Sequence, residues 1–175
     1  NGVTGEGSYF FEPAVDYVVA KVPRFTFEKF PDAEAVLGTS MKSIGEVMSI
    51  GRNFNETIQK AFRSLETGLN GFNEITFDKE KGTKKEQIQT MLAYTCPDRF
   101  LYVAEAFREG MSEDEIYNLC KIDKWFLRQV KDVVDAENDL RSGGLPEGRE
   151  GLFKLKNMGF SDSRIAELVG TSERK

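Results

Sequence analysis

The chain has 175 residues, 39% of them apolar and 30% charged, with 14 Phe among the aromatics and a net charge of −5. That composition suits a soluble globular protein with a real core, and its acidic balance gives no electrostatic footprint for DNA or RNA. There is no histidine, so the commonest general base and metal ligand are missing, which weighs against a self-contained hydrolase or metal site.

The first elements read as mixed structure. Val18, Ala20 and Val22 alternate with Tyr17, Val19 and Lys21, which predicts a strand ending at Pro23. A turn through Pro31-Asp32 follows, then a second short strand from Ile44 to Ile50, closed by Gly51. Asn53 and Glu56 have capping-box spacing, and Ile58, Ala61, Phe62 and Leu65 recur on one helical face up to Gly68. The stretch from Gly68 to Gly82 is loop-like, with a weak Ile75-Thr76-Phe77 run, and marks the expected domain boundary.

Beyond it every element reads as helix. Thr83 and Glu86 form a second box ahead of Ile88, Met91 and Leu92; Asp98 is the expected cap for Leu101, Ala104 and Phe107. Ser112 and Glu115 form a third box before Ile116 and Leu119. Asp123 opens the longest helix, with Phe126, Val130, Val133, Val134 and Leu140 inward, and Ser142-Gly143-Gly144 closes it. Leu152, Leu155 and Met158 mark a helix stopped by Gly159, and Ile165, Leu168 and Val169 the last one. Short connections of this kind imply a compact helical cluster. Gly110-Met111-Ser112 and Gly159-Phe160-Ser161 repeat one corner, in which glycine ends a helix and serine caps the next.

Few segments carry chemistry. Thr4-Gly5-Glu6-Gly7-Ser8 is glycine-rich but no Lys follows, so it is a turn rather than a phosphate loop. Lys21, Arg24 and Lys29 interleave with Phe25, Phe27 and Phe30, yet Asp16, Glu28 and Asp32 interrupt them; the Phe residues read as core anchors. Trp125 is either an interface anchor or the keystone of the helical core, and its neighbours Phe126 and Leu127 favour the core. Met158-Gly159-Phe160 is similar to the loop of small ubiquitin-binding three-helix domains, and the corner with Ile165 and Leu168 to a helix-turn-helix. Cys96 and Cys120 form no CxxC pair, which fits a reducing compartment, and the first residues lack the basic head and apolar centre of a signal peptide.

One resemblance organises the rest. Phe11-Glu12-Pro13-Ala14-Val15-Asp16-Tyr17, Val22-Pro23-Arg24-Phe25-Thr26-Phe27-Glu28-Lys29-Phe30-Pro31 and Met41-Lys42-Ser43-Ile44-Gly45-Glu46-Val47-Met48 resemble the carbamoyl-phosphate synthetase large-subunit family, at the end of its first synthetase module. Ala104-Glu105-Ala106-Phe107-Arg108 and Ile122-Asp123-Lys124-Trp125-Phe126-Leu127 are similar to that family's oligomerization domain. The resemblance implies a mostly α chain: an N-terminal α/β tail of an ATP-grasp (carboxyphosphate) module in residues 1–66, then a helical oligomerization domain in residues 67–175.

It implies a parent ligase that makes carbamoyl phosphate from bicarbonate, glutamine-derived ammonia and two ATP with Mg²⁺ (or Mn²⁺), feeding pyrimidine and arginine synthesis in the cytoplasm. The family's nucleotide and metal residues lie upstream of the Glu12-Pro13 segment, so no catalytic, cofactor or metal residue is expected here. Met41, Ser43 and Glu46 become candidate lining of the passage that carries carbamate between active sites, against a plain Glu46–Lys42 ion pair or a Glu46 cap on a backbone turn beside Gly45. Trp125 is the candidate interface residue. The implied partners are the rest of the large subunit, a glutaminase small subunit and a second copy, with no nucleic acid and no membrane. The competing reading is an independent helical adaptor module.

Overall fold

The computed structural model describes residues 2–7, 14–25, 27 and 35–173. The expectations for Phe11-Glu12-Pro13, Lys29, Phe30 and the Pro31-Asp32 turn lie outside them. Among the described residues two strands, β1 (Val18–Phe25) and β2 (Ser43–Gly51), pair antiparallel and precede seven α-helices. These are α1 (Phe54–Ser64), α2 (Lys84–Ala93), α3 (Arg99–Arg108), α4 (Glu113–Cys120), α5 (Lys124–Gly143), α6 (Gly148–Asn157) and α7 (Asp162–Val169). The mostly α architecture is as expected. No helix among the described residues is long and apolar enough to cross a membrane.

The alternation in β1 holds: Val18, Ala20 and Val22 are half-buried while Val19 and Lys21 face out. The strand does not stop at Pro23 but continues to Phe25, with Pro23 opposite Glu46. A two-stranded ribbon leaves one edge of each strand unpaired, and proline is tolerated on such an edge. Asn53 caps α1 by accepting from Glu56 N at 2.9 Å. The reciprocal half of that box is altered, because the Glu56 carboxylate accepts from Arg52 N at 2.7 Å and pairs with Lys60. The boxes at Thr83–Glu86 and Ser112–Glu115 form in full. Asp98 does not cap α3 with its side chain: its backbone is already turned, at φ −90° and ψ 14°, whereas a capping side chain needs an extended residue.

A single apolar cluster runs from Ile58 and Phe62 on α1 through Ile88, Leu92, Val103, Ile116, Leu127, Val130 and Val133 to Ile165 on α7. Thus α1, on the N-terminal side of the expected division, shares its core with the helices beyond. The loop-like 68–82 stretch contains only a 3₁₀ turn, Lys79–Lys81, yet it is anchored by Phe72, which is fully buried and meets Phe62 edge-on at 5.0 Å.

Two polar devices hold this cluster together. The first joins the α6–α7 corner to α1. Asn53 Nδ2, Gln59 Nε2 and Arg63 Nη1 donate to the carbonyls of Asn157, Met158 and Gly159, at 2.8, 2.8 and 2.6 Å. These are helix-end carbonyls that α6 itself leaves unpaired. The two backbones approach so closely that a Cβ on Gly159 would stand 2.7 Å from Glu56 Cα, and Gly159 has φ +91°. Phe160 is buried, so the Met158-Gly159-Phe160 loop is packed inside the fold.

The second device is a buried ion chain. Arg164, fully enclosed, pairs with Glu137 at 2.7 Å and with Glu74 at 3.0 Å; Glu137 also takes Arg108 at 2.5 Å, and Arg108 reaches Glu105 at 2.6 Å. Lys84 closes the far end on Glu105 at 2.7 Å. Burial works against the Arg164 charge, but its hydrogen bonds and the charges of Glu74 and Glu137 outweigh that and keep its pKa above the ordinary arginine value. At Glu74, burial alone would raise the carboxyl, and the Arg164 guanidinium overrides it, holding it down to about 2.

Two outcomes follow from these devices. Gly159→Ala, forced into a positive φ and against α1, is expected to cost about 2–4 kcal/mol, while Gly110→Ala, at φ +74° with open space around it, costs about 1 kcal/mol; urea unfolding of both variants measures the difference. Because the folded carboxyl of Glu74 titrates below its ordinary 4.5, its contribution is complete above that pH and is lost as pH falls toward about 2. The urea midpoint of the native chain is therefore expected to fall more steeply over that window than the midpoint of Glu74→Gln.

Candidate functional site

The three candidate passage residues sit on or beside β2. Met41 precedes the strand and is 88% exposed. Ser43 opens it opposite Phe25, and Glu46 lies opposite Pro23. The register slips between Arg24 and Phe25, with Ile44 as the extra residue. Ser43 is half-buried opposite Phe25, and Glu46 is exposed opposite Pro23. The structure thus places Ser43 and Glu46 on β2 and leaves Met41 outside the strand.

Glu46 does not pair with Lys42. It takes Lys21 from the neighbouring strand at 2.9 Å, with both side chains half exposed, while Lys42 Nζ donates to the Val36 carbonyl at 2.7 Å. Cross-strand geometry explains the exchange, because Lys21 stands diagonal to Glu46 on the outward face. An exposed pair of this kind adds little stability. The same face carries Val19, Ile44, Met48 and Ile50, each at least 42% exposed.

Trp125 stands at the opposite, inward side of the ribbon. Asp123 caps α5 by accepting from Trp125 N at 2.8 Å, which fixes the first turn of the helix. Trp125 remains 50% exposed, so it is not the core keystone; fully buried Leu127 holds that place in α5. The buried stripe of α5 is Leu127, Val130, Val133, Val134, Glu137 and Leu140, and Trp125 falls beside it. Phe126, expected inside, is 38% exposed for the same reason. Trp125 and Phe126 instead meet edge-on at 5.0 Å, and both contact Phe54 at the start of α1, at 5.6 and 5.2 Å.

This aromatic triad borders an apolar groove of about 680 Å³ between β1, α1, the start of α3 and the start of α5. Val18, Val22, Phe25, Phe54, Ile58, Phe100 and Ile122 line it with Trp125 and Phe126. Phe25 and Phe27 stack on each other at 5.7 Å and stay half-buried beside the core rather than in it. Among the described residues no three metal-binding side chains come together. Cys96 and Cys120 are buried free thiols, and burial pushes the Cys96 thiol up.

The comparisons with known proteins fall on these same elements. The family model for the carbamoyl-phosphate synthetase large chain oligomerisation domain matches residues 46–175, from the middle of β2 through α7 and beyond. The chain belongs to this family. Carbamoyl phosphate synthase large chains are similar along nearly its whole length: that of Rhizobium meliloti is 53% identical over 97% of the chain, and that of Campylobacter jejuni 49% over 99%. The Neisseria meningitidis serogroup B large chain is 47% identical over all of it. The chain spans about 15% of the length of the first two of these relatives and 16% of the third.

Reading from sequence missed the groove and the buried ion chain. The signal for the second was present: Glu105 and Arg108 lie on the apolar stripe of Leu101 and Ala104, and Glu137 continues that of Val130 and Val134. A charge at such a position needs a buried partner. The two neighbours Trp125 and Leu127 give a direct check of which is core. Leu127→Ala is expected to cost about 2–5 kcal/mol and Trp125→Ala about 1 kcal/mol, the scale of its aromatic contacts; chemical denaturation followed by circular dichroism measures both.

Proposed function

We propose that this chain is a non-catalytic part of a carbamoyl-phosphate synthetase large chain, joining synthetase halves and supporting self-association. The observation that carries the reading is the match of residues 46–175 to an oligomerisation domain, set within large-chain similarity over 97% of the sequence. In this reading residues 1–66 end the carboxyphosphate module and residues 67–175 form the helical domain, with α1 packed into both. The ribbon of β1 and β2 supports the first part: its outward apolar face and free edges are those of a sheet continued by other polypeptide.

The parent would make carbamoyl phosphate from bicarbonate, glutamine-derived ammonia and two ATP, with Mg²⁺ or Mn²⁺ and a glutaminase small subunit, in the cytoplasm. Its product would serve pyrimidine and arginine synthesis. Met41, Ser43 and Glu46 are proposed to line the carbamate passage. There an acidic group discourages the anion from lingering and the neighbouring hydroxyl hydrates it. The place of Ser43 and Glu46 on one strand supports this, with Lys21 paired to Glu46.

Calorimetry of residues 1–175 with ATP is expected to show no binding, and sedimentation a concentration-dependent dimer; tight ATP binding would place a nucleotide site here and refute the reading. In the full-length enzyme, Glu46→Ala is expected to lower carbamoyl phosphate formed per ATP hydrolysed severalfold, with ATP hydrolysis retained. Unchanged coupling removes Glu46 from the passage.

A further inference from the structure

We infer that Asn70, in the Asn70-Gly71 pair of the 68–82 stretch, is a site of spontaneous deamidation held back by the α6–α7 corner, and that its conversion to isoaspartate loosens Phe72 from the core. The inference stands on this chain's own residues and goes beyond the proposed role of the parent.

The chemistry needs only water. The Gly71 backbone nitrogen gives its proton to water, bonds to Cγ of Asn70 and closes a five-membered succinimide, while Nδ2 leaves as ammonia. Water then opens the ring at either carbonyl, leaving aspartate or isoaspartate. Glycine obstructs this attack least of all following residues, because it has no side chain and turns freely. The fold fixes glycine at this place. Gly71 has φ +149°, and a Cβ there would stand 2.6 Å from Gln59 Oε1. Gln59 has no room to yield, since it is fully buried and its Nε2 donates to the Met158 carbonyl at 2.8 Å. Among the described residues no hydrogen bond holds the Asn70 carboxamide, and none holds the Gly71 N–H. Both reacting groups are unengaged.

The main chain around them is tied. Asn70 N donates to Asn73 Oδ1 at 2.6 Å, and Ser161 Oγ at the α6–α7 corner donates to the Asn70 carbonyl at 3.2 Å. Asn73 is joined in turn to Glu167 of α7 at 3.4 Å. Phe72 is fully buried, and its carbonyl takes both Arg108 and Arg164. Ring closure swings the Gly71 nitrogen toward the Asn70 side chain against these ties, so the reaction waits for the segment to open locally. Isoaspartate then routes the main chain through Cβ and adds an atom between the Ser161 tie and Phe72. That added length moves the Phe72 ring off Phe62 or its carbonyl off Arg164, and either loss weakens the core.

Timed incubation of the full-length protein, folded and in urea, followed by peptide mapping with mass spectrometry, tests this. The map separates Asn70 from Asn1-Gly2, the other Asn–Gly pair in the sequence. Folded protein is expected to convert Asn70 roughly tenfold or more slowly than unfolded protein, since only the open fraction reacts. Asn73→Ala and Ser161→Ala, which each remove one tie, raise the folded rate severalfold. Thr83→Ala removes a cap of the same kind on distant α2 and leaves the rate unchanged. Protein enriched in isoaspartate at position 70 has a lower urea midpoint, whereas Asn70→Gln aged for the same time neither changes mass in this peptide nor loses midpoint. Equal rates in folded and unfolded protein overturn the inference, as does a folded rate that Asn73→Ala and Ser161→Ala leave unaltered. A Thr83→Ala rate as high as that of Ser161→Ala assigns the opening to global unfolding and removes the role of the corner. An unchanged midpoint after conversion removes the link to Phe72.

Discussion

Arg164 is the point on which the helical cluster turns. Its guanidinium is wholly buried, and it binds Glu137 from α5, Glu74 from the 68–82 stretch, Glu167 from its own helix and the carbonyl of Phe72. Arg108 on α3 shares both Glu137 and the Phe72 carbonyl. Enclosed charges cost several kcal/mol each unless they are paired, so losing one of these contacts penalises any other placement of α3, α5 and α7. Apolar surfaces are far more permissive about register. The ion chain ties α3, α5 and α7 together across the apolar cluster.

That constraint explains why a segment without regular structure is well placed. Residues 68–82 make no strand and only one short turn, but the Phe72 ring is inserted against Phe62 while two arginines hold its carbonyl. Arg141 adds a further contact to Glu74. The loop is thus part of the core in energy though not in secondary structure. The α6–α7 corner is held in the same style, by α1 side chains that take over its terminal carbonyls.

The functional surfaces lie away from this rigid centre. β1 and β2 project from it with apolar groups on the outer face and a groove behind, and Trp125 stands where the ribbon meets α5. A domain whose centre is over-determined and whose margin is apolar is suited to connecting larger bodies.

Local chemistry was legible in the chain itself. The capping residues Thr83, Ser112, Asp123 and Ser161, and the apolar spacings of α1, α4, α5 and α7, act within one or two helical turns, so neighbouring residues decide them. The family motifs around Pro23, Gly45 and Trp125 were legible for the same reason, being continuous in sequence. What depended on distant residues was not. Asp98 looks like a cap but its backbone is turned; Glu46 has Lys42 nearby in sequence but Lys21 in space; Trp125 looks like core until the rotation of α5 is known. Sequence by itself determined the elements and the family. Only the tertiary structure decided which charges are enclosed, that α1 shares the helical core, and which aromatics remain at the surface, because those depend on how helices far apart in the chain are turned toward one another.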